Sequence, residues 1–110
     1  MKDLIAKSFD FSIRMIELAN YLEEEHKQFP LISRLLECGT GIGVCLRTSD
    51  EFTISLQESY GQAYRLSLET EYLLELLVKT GYLNEVQIKP ILTDCRFLKE
   101  EAKKQLKKKL

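Results

Sequence analysis

The residues of this 110-residue chain whose side chains could bind a metal or act as nucleophiles or bases include three cysteines and one histidine. Cysteine and histidine both ligate zinc, and the spacing of seven between Cys38 and Cys45 places their thiols on one helical face. Cys95 stands alone, no CxxC pair occurs, and His26 follows an acidic run instead of another ligand. We therefore expect buried thiols that pack as small apolar groups, a surface histidine and no metal site.

Carboxylates and hydroxyls form no catalytic set in the sequence either. Di-metal sites in helical bundles use Glu-x-x-His pairs, and the chain contains none. Glu71 and Glu75 lie one turn apart but flank leucines, a pattern typical of a solvated helix face. No serine or cysteine has a candidate base. The sequence thus predicts a protein that is not an enzyme and uses no cofactor or small-molecule substrate.

A glycine series, G-T-G-I-G at residues 39–43, superficially resembles a phosphate-binding loop. No strand precedes it, no Lys-Ser/Thr pair follows it, and the surrounding periodicity is helical. Each glycine inside a helix costs about 1 kcal/mol relative to alanine. The series therefore predicts a place where a neighbouring backbone approaches closely.

Positive charge is concentrated near the C-terminal end. From Arg96 onward seven cations stand against two carboxylates, a net charge of +5, although the whole chain carries −1. The run lacks interleaved aromatic residues for base stacking, so it suits phosphates without reading sequence. Two interpretations stay open, a solvated helix end and a contact with RNA or DNA. The candidate residues for that contact are Lys99, Lys103, Lys104, Lys107, Lys108 and Lys109.

Length and composition predict a single globular domain spanning residues 1–110. Hydrophobic residues make up 45% of the chain and charged residues 30%, which is ordinary for such a domain. No apolar run approaches the roughly 18–20 residues of a membrane span, and the first residues do not resemble a signal peptide. Together with an odd number of cysteines, these features lead us to expect a reducing, cytoplasmic location.

Helical periodicity predicts four helices. The first is expected from Asp3 to Lys27, and the second from Pro30 to a break at residues 47–50, where Ser49 or Asp50 would cap the third. The third should reach Thr80. The broad apolar face expected for the first helix comprises Phe9, Phe11, Ile13, Met15, Ile16, Leu18, Ala19, Asn20 and Leu22.

The predicted third helix carries two apolar rows. One keeps alternating spacings of three and four and comprises Phe52, Leu56, Ser59, Ala63, Leu66, Thr70, Leu73 and Leu77. The other advances in steps of four and comprises Tyr60, Tyr64, Leu68, Tyr72 and Leu76. A face this wide must be covered on more than one side, which favours self-association. Because tyrosine buries well while keeping a polar tip, Tyr60, Tyr64 and Tyr72 are the interface candidates.

The predicted ends of the last two helices have recognisable signals. Gly81 should end the third helix in the left-handed conformation. Asn84-x-x-Gln87 has the form of a capping box for the fourth. Pro90 leaves two options, a short turn before a helix that starts at Pro90, or a helix kinked there. The short connections predict an all-α, antiparallel up-down-up-down four-helix bundle.

Three segments resemble the bacterial family called four-helix bundle protein, whose founders are encoded in intervening sequences of 23S ribosomal RNA genes. The segment L-L-E-C-G-T-G-I-G-V at residues 35–44 is similar to the family's second-helix motif. The segment E-T-E-Y-L-L-E-L-L at residues 69–77, followed by G-Y-L at 81–83, is similar to its third-helix motif, with Leu73 in place of a usual tryptophan. D-C-R-F-L at residues 94–98 resembles its fourth-helix motif. Cys45 stands where the family usually carries asparagine.

The resemblance implies a four-helix bundle that often assembles as a ring-like homopentamer, and it brings no catalytic residues. It also covers the accessory variability determinant proteins of diversity-generating retroelements, which bind nucleic acid and a reverse transcriptase through a strongly basic surface. The expected function is therefore a non-catalytic homo-oligomeric scaffold or interaction module. The alternative is a nucleic-acid-associated accessory protein that contacts phosphates through the C-terminal lysines.

Overall fold

Four helices account for nearly all of the protein. The structure, a computed structural model, describes residues 2–52 and 55–108, and within these ranges there is no strand. The helices are α1 (Lys2–Glu24), α2 (Ile32–Phe52), α3 (Leu56–Lys79) and α4 (Glu85–Lys108). The side chains of Phe52 and Leu56, and the whole of Lys109, lie outside the described part. The predicted all-α class with four helices is confirmed.

The helices are antiparallel, and each packs against the next along the chain. Gly39 of α2 faces Met15 of α1 and Gly43 faces Ser8, so α2 runs back along α1. The contacts between α1 and α4 close the square and are the least extensive. The diagonal pairs α1–α3 and α2–α4 keep their Cα atoms more than 8 Å apart in the described residues. The pairs that show the same antiparallel course elsewhere are Arg34–Glu69, Cys45–Ser59, Ser67–Cys95, Gln57–Leu106 and Arg14–Asp94.

Two helix ends share one local structure. At the end of α1, His26 takes a positive φ of 57°, its N–H donates to the Glu23 carbonyl, and the Lys27 N–H donates to the Leu22 carbonyl. At the end of α3, Gly81 has a φ of 87° and the same pair of hydrogen bonds forms. This arrangement satisfies carbonyls that a helix end leaves open. It confirms the predicted cap at Gly81, and it gives His26 a structural role at an exposed turn.

The predicted break at residues 47–50 is wrong, because α2 continues through this segment to Phe52. The Thr48 hydroxyl donates to the Val44 carbonyl at 2.7 Å, a bond made inside a helix, and Ser49 is buried. The cap of α3 is Ser55, whose side chain accepts a hydrogen bond from the Glu58 N–H. A capping serine lies three residues before a glutamate here, and the sequence prediction missed that signal.

The start of α4 follows the predicted capping box. The Asn84 N–H donates to the Gln87 side chain at 2.9 Å, and the Gln87 N–H donates to the Asn84 side chain at 2.8 Å. Pro90 lies inside α4, whose helical assignment continues from Glu85 without a separate turn. The option of a helix that begins at Pro90 is therefore wrong.

The core is formed by one row from each helix. Its largest fully buried members are Phe11, Met15, Leu22, Leu35, Ile42, Leu46, Leu74, Leu77 and Leu98. On α1 the row that includes Phe11 and Met15 faces inward, whereas Phe9, Ile13 and Ile16 are exposed. The broad apolar face expected for the first helix is therefore divided into two rows, of which one packs in the core and the other stays largely on the surface.

Candidate functional site

The thiols are each held by a neighbouring helix. The Cys45 thiol donates to the Ser59 carbonyl at 3.5 Å, and the Cys95 thiol donates to the Ser67 carbonyl at 3.6 Å. Cys38 accepts a hydrogen bond from Thr70 at 3.2 Å. Burial raises the pKa of all three thiols, that of Cys95 to about 12. Thiols with a raised pKa are poor nucleophiles, so these cysteines are packing groups.

No metal site is present in the described ranges, where no group of three His, Cys, Asp or Glu side chains could hold an ion. His26 is exposed just after the end of α1, whereas the three cysteines are buried. The histidine and the thiols therefore lie in different environments.

An ion cluster joins α3 to α4. The Glu71 carboxylate accepts hydrogen bonds from Arg96 at 2.8 Å and from Lys99 at 3.1 Å, and Arg96 also reaches Glu75 at 3.3 Å. The Glu71 side chain is only 15% exposed. Burial alone would raise the pKa of Glu71, but the hydrogen bonds and charges of Arg96 and Lys99 outweigh it and lower that pKa.

Replacing Glu71 by glutamine should destabilise the protein at neutral pH by about 1–3 kcal/mol, since it leaves Lys99 without its main partner. The folded-state pKa of Glu71 is depressed, so its contribution is complete well above the unfolded pKa of about 4.3 and is lost as the pH falls through the folded pKa. Urea unfolding at pH 7 and pH 3 would measure this. An equal difference between Glu71→Gln and the wild type at both pH values would contradict the assignment.

The described lysine candidates for nucleic-acid contact differ in exposure and in ion pairing. Lys99 is half-buried and paired with Glu71, and Lys104 pairs with Glu101 at 3.1 Å. Lys103 is half-buried. Lys107 and Lys108 are exposed in the last turn of α4 and form no ion pair with a described residue. The available positive charge on the described part of α4 is thus smaller than the sequence count indicated.

The most distinctive surface is the outer side of α1. Phe9, Ile13 and Ile16 lie at positions i, i+4 and i+7 and are 49%, 44% and 52% exposed. Across the α1–α2 junction lies Val44, also exposed, and a cleft of about 220 Å³ opens beside Gly43. We call Phe9, Ile13, Ile16 and Val44 the α1 face. The Arg47 guanidinium stacks over the Phe9 ring with 4.9 Å to its centroid.

An acidic row follows the α1 face along the helix. Its members recur every seven residues and are Asp3, Asp10, Glu17 and Glu24. Residues seven apart return to nearly the same side of a helix, so the four carboxylates form one line beside Ile13. All four are exposed, and none forms an ion pair with a described residue. The sequence prediction missed this row, although its heptad spacing is readable in the sequence.

On α3 the three tyrosine candidates lie in different environments. Tyr60 is 4% exposed and belongs to the core, Tyr64 is half-buried, and Tyr72 is 63% exposed. Tyr72 is flanked one turn away by Leu68 and Leu76. We call Leu68, Tyr72 and Leu76 the α3 stripe. Of the three candidates, Tyr72 is the one with most of its side chain exposed on the subunit.

Two cations bracket the α3 stripe. Arg65 and Lys79 lie seven residues before and after Tyr72, are exposed, and form no ion pair within residues 2–52 and 55–108. An open groove of about 720 Å³ between α3 and α4 adjoins the stripe. Its apolar lining is Tyr72, Leu76, Val78, Ile88 and Leu92, and its charged rim is Glu75, Lys79, Glu85, Lys89 and Arg96.

The fold and these surfaces define a four-helix protein whose distinctive features lie on its exterior. No model of a protein family matches the chain, and no curated protein matches it. A crystal structure from Bacteroides thetaiotaomicron VPI-5482, described as a protein with unknown function from the S23 ribosomal protein family, is similar with a TM-score of 0.87. The two chains are 28% identical, and the match covers 94% of this chain and 98% of that one.

This likeness supports, at a coarse level, the family resemblance found in the sequence. It extends along nearly the whole chain, and the similar protein is itself described as having unknown function. None of the described helices is both long and apolar enough to cross a bilayer.

Proposed function

We propose that this protein is a non-catalytic, homo-oligomeric four-helix bundle of the 23S rRNA intervening-sequence type, a scaffold or interaction module in the cytoplasm. The observation that carries the proposal is the exposed α1 face. Three large apolar side chains on the outer side of one helix are more than a lone subunit needs. Because each is about half exposed, burying the rest of each side chain would contribute about 0.8–1.5 kcal/mol.

Further support comes from the chemistry of the interior. The thiols are packing groups with raised pKa values. The Glu71 carboxylate is engaged by two cations of α4. These side chains stabilise the bundle, which fits a protein that acts through its surface. A ring of five subunits is the assembly that the family resemblance implies, and it is the form of the homo-oligomer that we propose.

The test is the solution mass of the purified protein, measured by light scattering after size exclusion at low and high salt. A mass near five subunits is expected, and replacing Ile13 and Ile16 by asparagine should lower it while the helical circular dichroism stays unchanged. The matched control is Val86→Asn, because Val86 is exposed on α4 outside the α1 face. A wild-type protein that is monomeric at both salts would overturn the proposal.

The second candidate is an accessory protein that contacts RNA or DNA phosphates. The observation that favours it is the pair Lys107 and Lys108, exposed and free of ion pairs with described residues. A ring that brought these ends of several subunits together would raise the local potential although each subunit is nearly neutral.

This candidate is tested by binding a labelled RNA over a range of salt concentrations. Replacing Lys107 and Lys108 by glutamine should weaken binding and lower the salt slope by about 0.7–0.9 for each phosphate that the protein no longer neutralises. The control replaces Lys89, which is exposed near the other end of α4. An unchanged slope in the first variant would remove the candidate.

A further inference from the structure

We infer that copies of this protein join head to tail, with the α1 face of one copy docked on the α3 stripe of the next. This inference rests on the homo-oligomer proposed above and assigns the two surfaces that meet. The first surface combines apolar side chains with a line of carboxylates, and the second combines apolar side chains with two cations. The α1 face of one copy is therefore covered by the α3 stripe of a second copy, and its α3 stripe by the α1 face of another.

The charges of the two surfaces match in spacing. Arg65 and Lys79 are fourteen residues apart, about 21 Å along the helix at 1.5 Å per residue. The acidic row offers two pairs of carboxylates with the same separation, Asp3 with Glu17 and Asp10 with Glu24. Arg65 and Lys79 therefore meet one of these two carboxylate pairs in each of two registers, which differ by a shift of seven residues. In both registers Tyr72 lies between the two cations.

Ion pairs within the subunit leave each surface with mainly one sign of charge. On α1, Arg14 turns away to pair with Asp94 of α4 at 3.1 Å, and Lys7 lies over the Phe97 ring of α4. On α3, the carboxylates beside the stripe are neutralised by neighbouring helices, Glu69 by Arg34 and Glu75 by Arg96. The charges of opposite sign that remain are Lys2 and Glu58 at the helix starts, Lys7 and Arg47 over aromatic rings, and Glu85 on the groove rim.

The position of the two helices makes the contact head to tail. Helices α1 and α3 lie on a diagonal of the square, with their Cα atoms more than 8 Å apart throughout the described residues, so their outer sides face different directions. Each copy therefore binds one neighbour through α1 and another through α3. Pairing of two α1 faces is disfavoured, because it would bring two acidic rows together. A head-to-tail contact of this kind closes into a ring when the rotation per copy divides a full turn.

The experiment is a charge exchange between the surfaces, read by light scattering at low salt. Arg65→Glu with Lys79→Glu should weaken self-association at least tenfold, and so should Asp10→Lys with Glu17→Lys and Glu24→Lys. The chain that carries all five substitutions should recover the wild-type mass, since each surface then has the opposite sign. The control is Lys107→Glu with Lys108→Glu, which removes two cations outside both surfaces and should leave the mass unchanged.

Circular dichroism checks that every variant is helical. If the fivefold variant does not fold, an equimolar mixture of the two single-surface variants gives the same test, because each then finds its complement on the other. Single-surface variants with wild-type mass, or no recovery in both the fivefold variant and the mixture, would overturn the inference while leaving the homo-oligomer intact. A monomeric wild type would overturn both.

Discussion

Replacing Leu74 by alanine is expected to lower the free energy of unfolding by about 2–5 kcal/mol. Leu74 has no exposed surface and lies on α3, the helix that packs against both α2 and α4. Removing its side chain leaves a cavity that rigid neighbours on two sides fill only partly. Guanidinium unfolding followed by circular dichroism measures the loss, at one fixed concentration because the stability of an oligomer depends on it.

The matched control for this prediction is Val86→Ala, which shortens an apolar side chain that is 82% exposed on α4. Its effect should stay within about 0.5 kcal/mol, the usual range for surface substitutions. A loss at Leu74 no larger than the loss at Val86 would mean that α3 buries a different side of the helix from the one that carries Leu74.

The second large effect is expected at Gly43, where α1 and α2 approach closely. A Cβ atom added at this position would lie 3.3 Å from the Ser8 backbone oxygen and 3.4 Å from the Ser12 hydroxyl. A backbone oxygen cannot swing aside as a flexible side chain does. Gly43→Leu should therefore destabilise the protein by about 1–3 kcal/mol through overpacking, although leucine is the better helix former.

The same substitution at Gly61 is the control for Gly43. There the nearest heavy atom to an added Cβ is a methyl carbon of Leu106 at 4.0 Å, so the position is open. Gly61→Leu should be neutral or stabilising by up to about 1 kcal/mol, because the helix loses a glycine. Unfolding measurements that rank the two variants in the opposite order would contradict the close approach of α1 and α2.

The sequence predicts helix ends well where a local motif decides them. The caps at Gly81 and at Asn84 depend on residues within one turn, and both are present as predicted. The predicted break between α2 and α3 is misplaced because the polar run at residues 47–50 has the composition of a turn. Inside a helix the Thr48 hydroxyl can bond to the preceding turn, so a polar run alone does not end a helix.

Which side of a helix faces the core is harder to predict, because it depends on the neighbours. Along α1 the row with Phe9, Ile13 and Ile16 is as apolar as the row with Phe11 and Met15, and the packing of α2 and α4 selects the second. The second predicted row of α3, which advances in steps of four, does not stay in one environment, for a geometric reason. Steps of four advance 40° beyond a full turn, so the row winds from the buried Tyr60 to the exposed Tyr72.

The candidate surfaces are partly predictable for the same reasons. Residue type and spacing are enough to identify Tyr72 as an interface candidate. The ion pair of the candidate Lys99 is not predictable, because the sequence does not show that Glu71 of α3 stands opposite it in the bundle. The acidic row and the cations that flank Tyr72 recur at heptad spacing, but their meaning depends on which charges the neighbouring helices neutralise.

Because of the three buried thiols, the unfolded chain is sensitive to oxidation whereas the folded protein is protected from it. In the native protein they are sealed between helices and held as thiols, so an oxidant meets no thiolate at the surface. On unfolding all three reach solvent and return to ordinary reactivity. An oxidising medium then converts a reversible opening into permanent cross-links, within one chain or between chains. The amount of cross-linked protein that accumulates in an oxidising medium therefore depends on how often the bundle has opened.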